Sequence, residues 1–356
     1  MNYRHYLAAF LATGIMLISC NKQPDDPAPA FSGDIYVLNN GNWGSNDSGI
    51  SVYNLDTKEL AADAFYNAND IALGDLGQDI MIDGKNIYIA VYGSKCIFVT
   101  DKALNVKKTL EISSEEGTRL SPRTFCKAND RIYVTMYEGF VAEINPADNY
   151  SVRLTPVGNN PEGIAYAKGK LYVANSGGMN FPNYDNTVSV IDASSFKETS
   201  RITVNVNPSS VAANSDGSLV FVSSYGDYGM TPGKLQAIST SRSTVSDLGY
   251  ENISGFSMGA DDRLYILTAG YDDNWNPLAG TVYVQDARST VASNVKFVTD
   301  GTELDEAYSI SATSDGYIYI GISDYKTNGD ICVFNQNGKL YDRFDTAGLN
   351  PQKVVR

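Results

Sequence analysis

Histidine is all but missing from this chain. His5 is the only one in 356 residues, and it falls in an N-terminal segment that reads as a processing signal. The rest has no imidazole, which excludes Ser-His-Asp and Cys-His nucleophilic chemistry and any histidine-ligated metal. A hydrolase working with Asp and Glu alone, or a tyrosine-based proton transfer, stays open without a motif to mark it. Cysteine is scarce and unpatterned. Beyond Cys20 there are Cys96, Cys126 and Cys332, odd in number and without CxxC spacing, so they read as free thiols packed as small hydrophobes and not as a zinc site. Positive charge is in deficit: 27 Lys and Arg stand against 41 Asp and Glu, a net charge of −14. Such a surplus serves solubility first, and it repels phosphate backbones, which argues against nucleic acid as a partner. No apolar run is long enough to cross a bilayer as a helix, and no long window shows helical periodicity.

What is present is a repeat. An apolar strand enters a polar turn and emerges in a strand centred on an aromatic residue: GKNIYIA at Gly84–Ala90, DRIYVT at Asp130–Thr135 and GKLYVA at Gly169–Ala174. The seven anchors are Tyr36, Tyr88, Tyr133, Tyr172, Phe221, Tyr265 and Tyr319, spaced by about 47 residues. That length holds one four-stranded sheet, so the spacing predicts an all-β fold, a seven-bladed β-propeller over residues 33–356. Inner strands are expected near Ile80, Phe125, Ile164, Val211, Phe256 and Ile310, several opened by Pro-x-x, as in Pro161-Glu162-Gly163-Ile164. The first unit lacks such a strand, while the chain ends on a spare one, Pro351-Gln352-Lys353-Val354. The last strand is therefore expected to complete the first blade, which removes open sheet edges and ties down both ends.

The N-terminal region is read apart from the fold. The apolar stretch Leu7–Ile18 leads into Leu17-Ile18-Ser19-Cys20, which resembles a bacterial lipobox with Cys20 as the lipidated residue. Residues 1–20 are then a signal peptide. Residues 21–32, rich in Pro and Asp, form a tether that cannot pack a core.

In a propeller the strands run A to D outward from the axis, and the B–C and D–A connections share one face. The expected B–C loops are aromatic: NNGNWGSNDS at Asn39–Ser48, Tyr92–Ser94, Tyr137–Gly139, NSGGMNFPNYDN at Asn175–Asn186, SYGDYGMTPG at Ser224–Gly233, GYDDNWNPLA at Gly270–Ala279 and Ser323–Asp330. The A–B turns are plain Asp-Gly and Gly-Lys sequences. Candidate ligand contacts on the aromatic face are Asn42, Trp43, Tyr92, Tyr137, Phe181, Tyr184, Tyr225, Tyr228, Tyr271, Asp272, Trp275 and Tyr325. Flat rings give contact area at little entropic cost, and amides give hydrogen bonds. Tyr92, Tyr137 and Tyr225 directly follow strand B and could equally pack between blades. Trp43 and Trp275 sit mid-loop, where packing roles are harder to supply. Asp272-Asp273-Asn274 lacks the order of a calcium loop, so no metal is expected.

With repeat, lipobox and closure together, the chain resembles the YncE-like seven-bladed propellers over nearly all of residues 33–356. More narrowly, Ile35–Asn54, IYVLNNGNWGSNDSGISVYN, is similar to surface lipoproteins of Bacteroidetes, most of all the cobalamin-binding BtuG lipoproteins. The resemblance implies a non-enzymatic protein anchored by lipid to the outer membrane and exposed at the cell surface. It would bind cobalamin or a related corrinoid and pass it to a TonB-dependent transporter of the BtuB kind. No cofactor of its own is expected. Without histidine, the corrin would be held by its periphery and its tail phosphate by hydrogen bonds or a base such as Lys326. A glycan- or peptide-binding module on the same face, and a carboxylate-dependent hydrolase using Asp272 or Glu138, are the competing expectations.

Overall fold

The computed structural model describes residues 34–271 and 277–356. The expected signal with His5 and Cys20, the expected tether, and Asp272 and Trp275 in the sixth loop lie outside the described residues. Seven antiparallel four-stranded sheets follow one another along the chain as the blades of a propeller. The expected closure is present: Pro351–Val355 pairs antiparallel with Asp34–Asn39 and becomes the inner strand of blade one.

The anchors explain how the blades hold together. All seven occupy strand B and are at most 2% exposed. Each packs into the next blade: Tyr36 meets Ile80, Ile87 and Ile89, Tyr133 meets Ile164, Leu171 and Val173, and Tyr319 returns to Ile35 and Val37 of blade one. Seven apolar clusters fill the seven interfaces, so there is no single central core. Full burial of one such ring is worth about 1.5–3 kcal/mol.

The axis is polar instead. Inner strands lie side by side with no ladder between them, and short side chains bridge the gap. The buried Asp79 carboxylate accepts from the Phe125 backbone N–H at 2.7 Å and from Lys353 Nζ at 2.5 Å, linking the inner strands of blades one, two and three. Ser257 Oγ accepts from Ala312 N–H, and Ser311 Oγ from Val354 N–H.

Three local features went beyond the sequence pattern. Every inner strand carries a register shift at its start, whether it opens with Pro122, Pro161, Pro208 and Pro351 or with Gly77, Ile253 and Ala307. Proline, with no N–H to place in the ladder, suits such a bulge. A six-residue helix, Ala64–Asn69, packs between blades one and two, with Phe65 against Phe98, and is too short to show a period. In blade six the hairpin runs further than Gly270 and Ala279, with Gly270 opposite Leu278 and Tyr271 opposite Pro277.

Candidate binding face

The bulges re-aim one residue per blade toward the mouth of the axial channel: Gln78, Arg123, Glu162, Ser209, Ser254, Tyr308 and Gln352. All of them line either the axial channel or the cleft beside its mouth. Arg123 is the centre of one side of this ring. Its Nε donates to Glu162 Oε2 at 2.7 Å and its Nη1 to Gln78 Oε1 at 2.8 Å. Its guanidinium lies 4.8 Å from the Tyr92 ring centre and 5.0 Å from that of Tyr137. Both ionic side chains are less than one-fifth exposed. Burial works to lower the pKa of Arg123, but the Glu162 carboxylate more than offsets it, so the guanidinium stays charged. Burial raises the pKa of Glu162 against the pull of Arg123.

The aromatic side chains predicted from the loops assemble into arcs around this ring. Trp43 tilts against Tyr92 at 5.8 Å, and Tyr92 meets Tyr137 edge-on at 5.5 Å. Phe181, Tyr184 and Tyr228 follow at 6.0 Å spacings, with Tyr225 stacked beside Tyr228. Tyr325 meets Tyr308 at 5.5 Å and nearly at right angles. Trp43, Phe181 and Tyr228 are more than 70% exposed. Tyr92 and Tyr137 are partly exposed at the mouth, each taking part in both arc and ring. Gly178 is what lets Tyr137 lie there, since a Cβ at that position would come within 2.5 Å of the Tyr137 hydroxyl. Asn42 braces loops: its side chain accepts from Asn350 Nδ2 at 3.1 Å, and its backbone N–H donates to Asp47. Tyr271 is described by its backbone alone, as the last residue of strand B in blade six.

Sequence reading missed Arg123, Glu162, Gln78 and Tyr308. Arg123 and Glu162 stand directly after proline in two Pro-x-x openings, so the signal was present for them. Tyr308 follows Ala307, and nothing local marks it.

Burial raises the phenol pKa values of Tyr92, Tyr225, Tyr228 and Tyr308, and that of Tyr137 to about 12. These rings are neutral hydrogen-bonding platforms at physiological pH. Burial likewise lifts the thiols of Cys96 and Cys332 to about 11 and that of Cys126 to about 12, which leaves them unreactive.

Charge is distributed unevenly between the faces. Among the described residues, the B–C and D–A loops carry fifteen Asp and Glu against three bases, Lys95, Arg119 and Lys326. The remaining described residues hold twenty-two of each sign. The net charge of the described propeller therefore sits on the aromatic face. The A–B turns of the other face bear no exposed large apolar side chain among the described residues.

A family model described as a domain of unknown function, DUF5074, matches residues 33–247. The chain belongs to the DUF5074 family. That match covers three of the four strands of blade one, all of blades two to four and most of blade five. No curated protein matches the sequence. Among solved structures, the chain is similar to hydrazine synthase of Kuenenia stuttgartiensis, at 16% identity and a TM-score of 0.59 over 77% of this chain and 88% of that one. It is also similar to the dihydro-heme d1 dehydrogenase NirN, at 10% identity and 0.55 over 89% and 68%. A third is the computationally designed protein Ika8, at 12% identity and 0.57 over 90% and 89%. At these identities the likeness is one of fold.

Proposed function

We propose that this DUF5074 propeller is a non-enzymatic binding module whose B–C and D–A loop face captures a corrinoid. Working as a lipid-anchored surface protein of the outer membrane, it would deliver that ligand to a TonB-dependent transporter. The observation that carries the reading is the set of aromatic arcs around one channel mouth, with plain A–B turns on the opposite face. A corrin is broad and fringed by neutral amides, which suits rings with Asn and Ser partners. The acidic loops make a phosphate a poor handle, so ring and amide contacts would supply most of the affinity. Arg123, already paired and stacked, would hold Tyr92 and Tyr137 in place for the ligand.

The test is isothermal titration of the protein with cyanocobalamin. Saturable binding is expected, with Trp43→Ala weakening it about tenfold or more, the usual cost of losing an aromatic anchor. No saturable binding rejects the corrinoid. Retention on an immobilised neutral glycan in its place would assign the same face to sugar.

A further inference from the structure

A cleft of about 670 Å³ lies on the same face, over blade six and between blades five and seven. Four tyrosines line it: Tyr225, Tyr228, Tyr308 and Tyr325. Tyr308 and Tyr325 meet at 89° and form a corner, while Tyr225 and Tyr228 are inclined by only 19°. A corner of perpendicular rings wraps a compact, rounded group better than a flat one. Glu306 and Asp324 also line the cleft. Asp324 is committed to its own turn, accepting from the backbone N–H groups of Lys326 and Thr327. Glu306 is exposed and makes no ion pair among the described residues. Lys326 is the only base in the lining, set in a face whose other loops are overwhelmingly acidic.

We propose that this cleft binds an organic ammonium group, methylated or quaternary, through cation–π contact with the four phenol rings and attraction to the acidic loops. The negative ring faces attract a cation whose weak hydration makes desolvation inexpensive, and this is the usual chemistry of aromatic cages. The surrounding carboxylates raise the local concentration of cations. The cleft is larger than one such headgroup, so the ammonium is expected to be one end of a larger molecule. The assignment does not depend on the corrinoid.

Isothermal titration with choline and with 3,3-dimethyl-1-butanol, the same shape without charge, tests it. Choline is expected to bind at least tenfold more tightly; equal affinity, or no binding of either, overturns the proposal. Tyr308→Leu is expected to weaken choline about fivefold or more. Because Tyr308 is partly buried, Glu306→Gln serves as the second variant: affinity is expected to fall two- to threefold with the melting temperature unchanged. Lys326→Met is expected to strengthen choline binding, and abolition of binding by that variant would defeat the idea. Phosphatidylcholine vesicles separate the sources. Capture of vesicles assigns a lipid headgroup, and free choline bound without vesicle capture assigns a soluble amine. Because no corrinoid is present, failure here leaves the function proposed above standing, and the reverse holds equally.

Discussion

Arg123 shows how much rests on single residues at the mouth. Removing its charge leaves Glu162 partly buried without a partner, and the reverse change strands Arg123. Because both side chains are less than one-fifth exposed yet not fully buried, Arg123→Met and Glu162→Gln are each expected to cost about 2–3 kcal/mol in chemical denaturation, at or just below the lower limit for fully buried pairs. The double variant should cost less than the sum of the two, and a double-mutant cycle reads the difference. The same variants should loosen Tyr92 and Tyr137 and weaken ligand binding, while a distant surface change does neither. The phenols give a pH prediction. Their folded pKa values lie above the ordinary tyrosine value, so the folded state keeps protons that the unfolded chain would release near pH 10. That stability is complete below about pH 10 and lost as pH rises through the raised values. Absorbance at the tyrosinate band should therefore show a class of tyrosines that ionises only as the protein unfolds. The aromatic residues of the B–C loops were legible because loop position places them, whereas Tyr308, on an inner strand, was not. The Arg123–Glu162 pair was not, because it joins residues 39 apart on neighbouring blades, and a repeat pattern records what recurs within a blade.

At the level of strands, side-chain bridges do between blades what ladder hydrogen bonds do within them. Asp79→Ala removes the acceptor for both the Phe125 N–H and the Lys353 ammonium. It is expected to lower stability by about 2–3 kcal/mol in urea, since the buried Phe125 N–H and the partly exposed Lys353 ammonium lose their partner at once. The strand B anchors predict a second cost. Tyr133→Ala should lose about 3–5 kcal/mol, the usual range for deleting a buried aromatic ring, and the damage should centre on the interface between blades three and four. Hydrogen exchange localised to those blades would bear this out. Strand identity and the number of blades could be read from sequence because an alternating apolar run around an aromatic recurs with a fixed period. The bulges could be read only where proline opens the strand; Gly77, Ile253 and Ala307 begin the same distortion without that residue.

Across the whole molecule, charge is segregated by face although the repeat is regular. Acidic residues are spread along the sequence, and only the fold gathers fifteen of them onto one side, so their distribution was not visible beforehand. Affinity for a cationic ligand should fall as sodium chloride rises from 20 to 500 mM, because the Debye length shrinks from about 20 Å to about 4 Å. Affinity for a neutral ligand should stay level over the same range, and titration at both salts distinguishes the two. Ring closure, by contrast, was legible, since an unpaired opening strand and a spare final one leave few other arrangements. Its consequence concerns time. Tyr36 and Val355 become neighbours in one sheet, so the first segment made must wait for the last before its blade exists. A ribosome or an export channel delivering this chain in order releases six finished blades with an unzipped seam, and any nascent product halted upstream of Pro351 stays sticky at both lips of the gap.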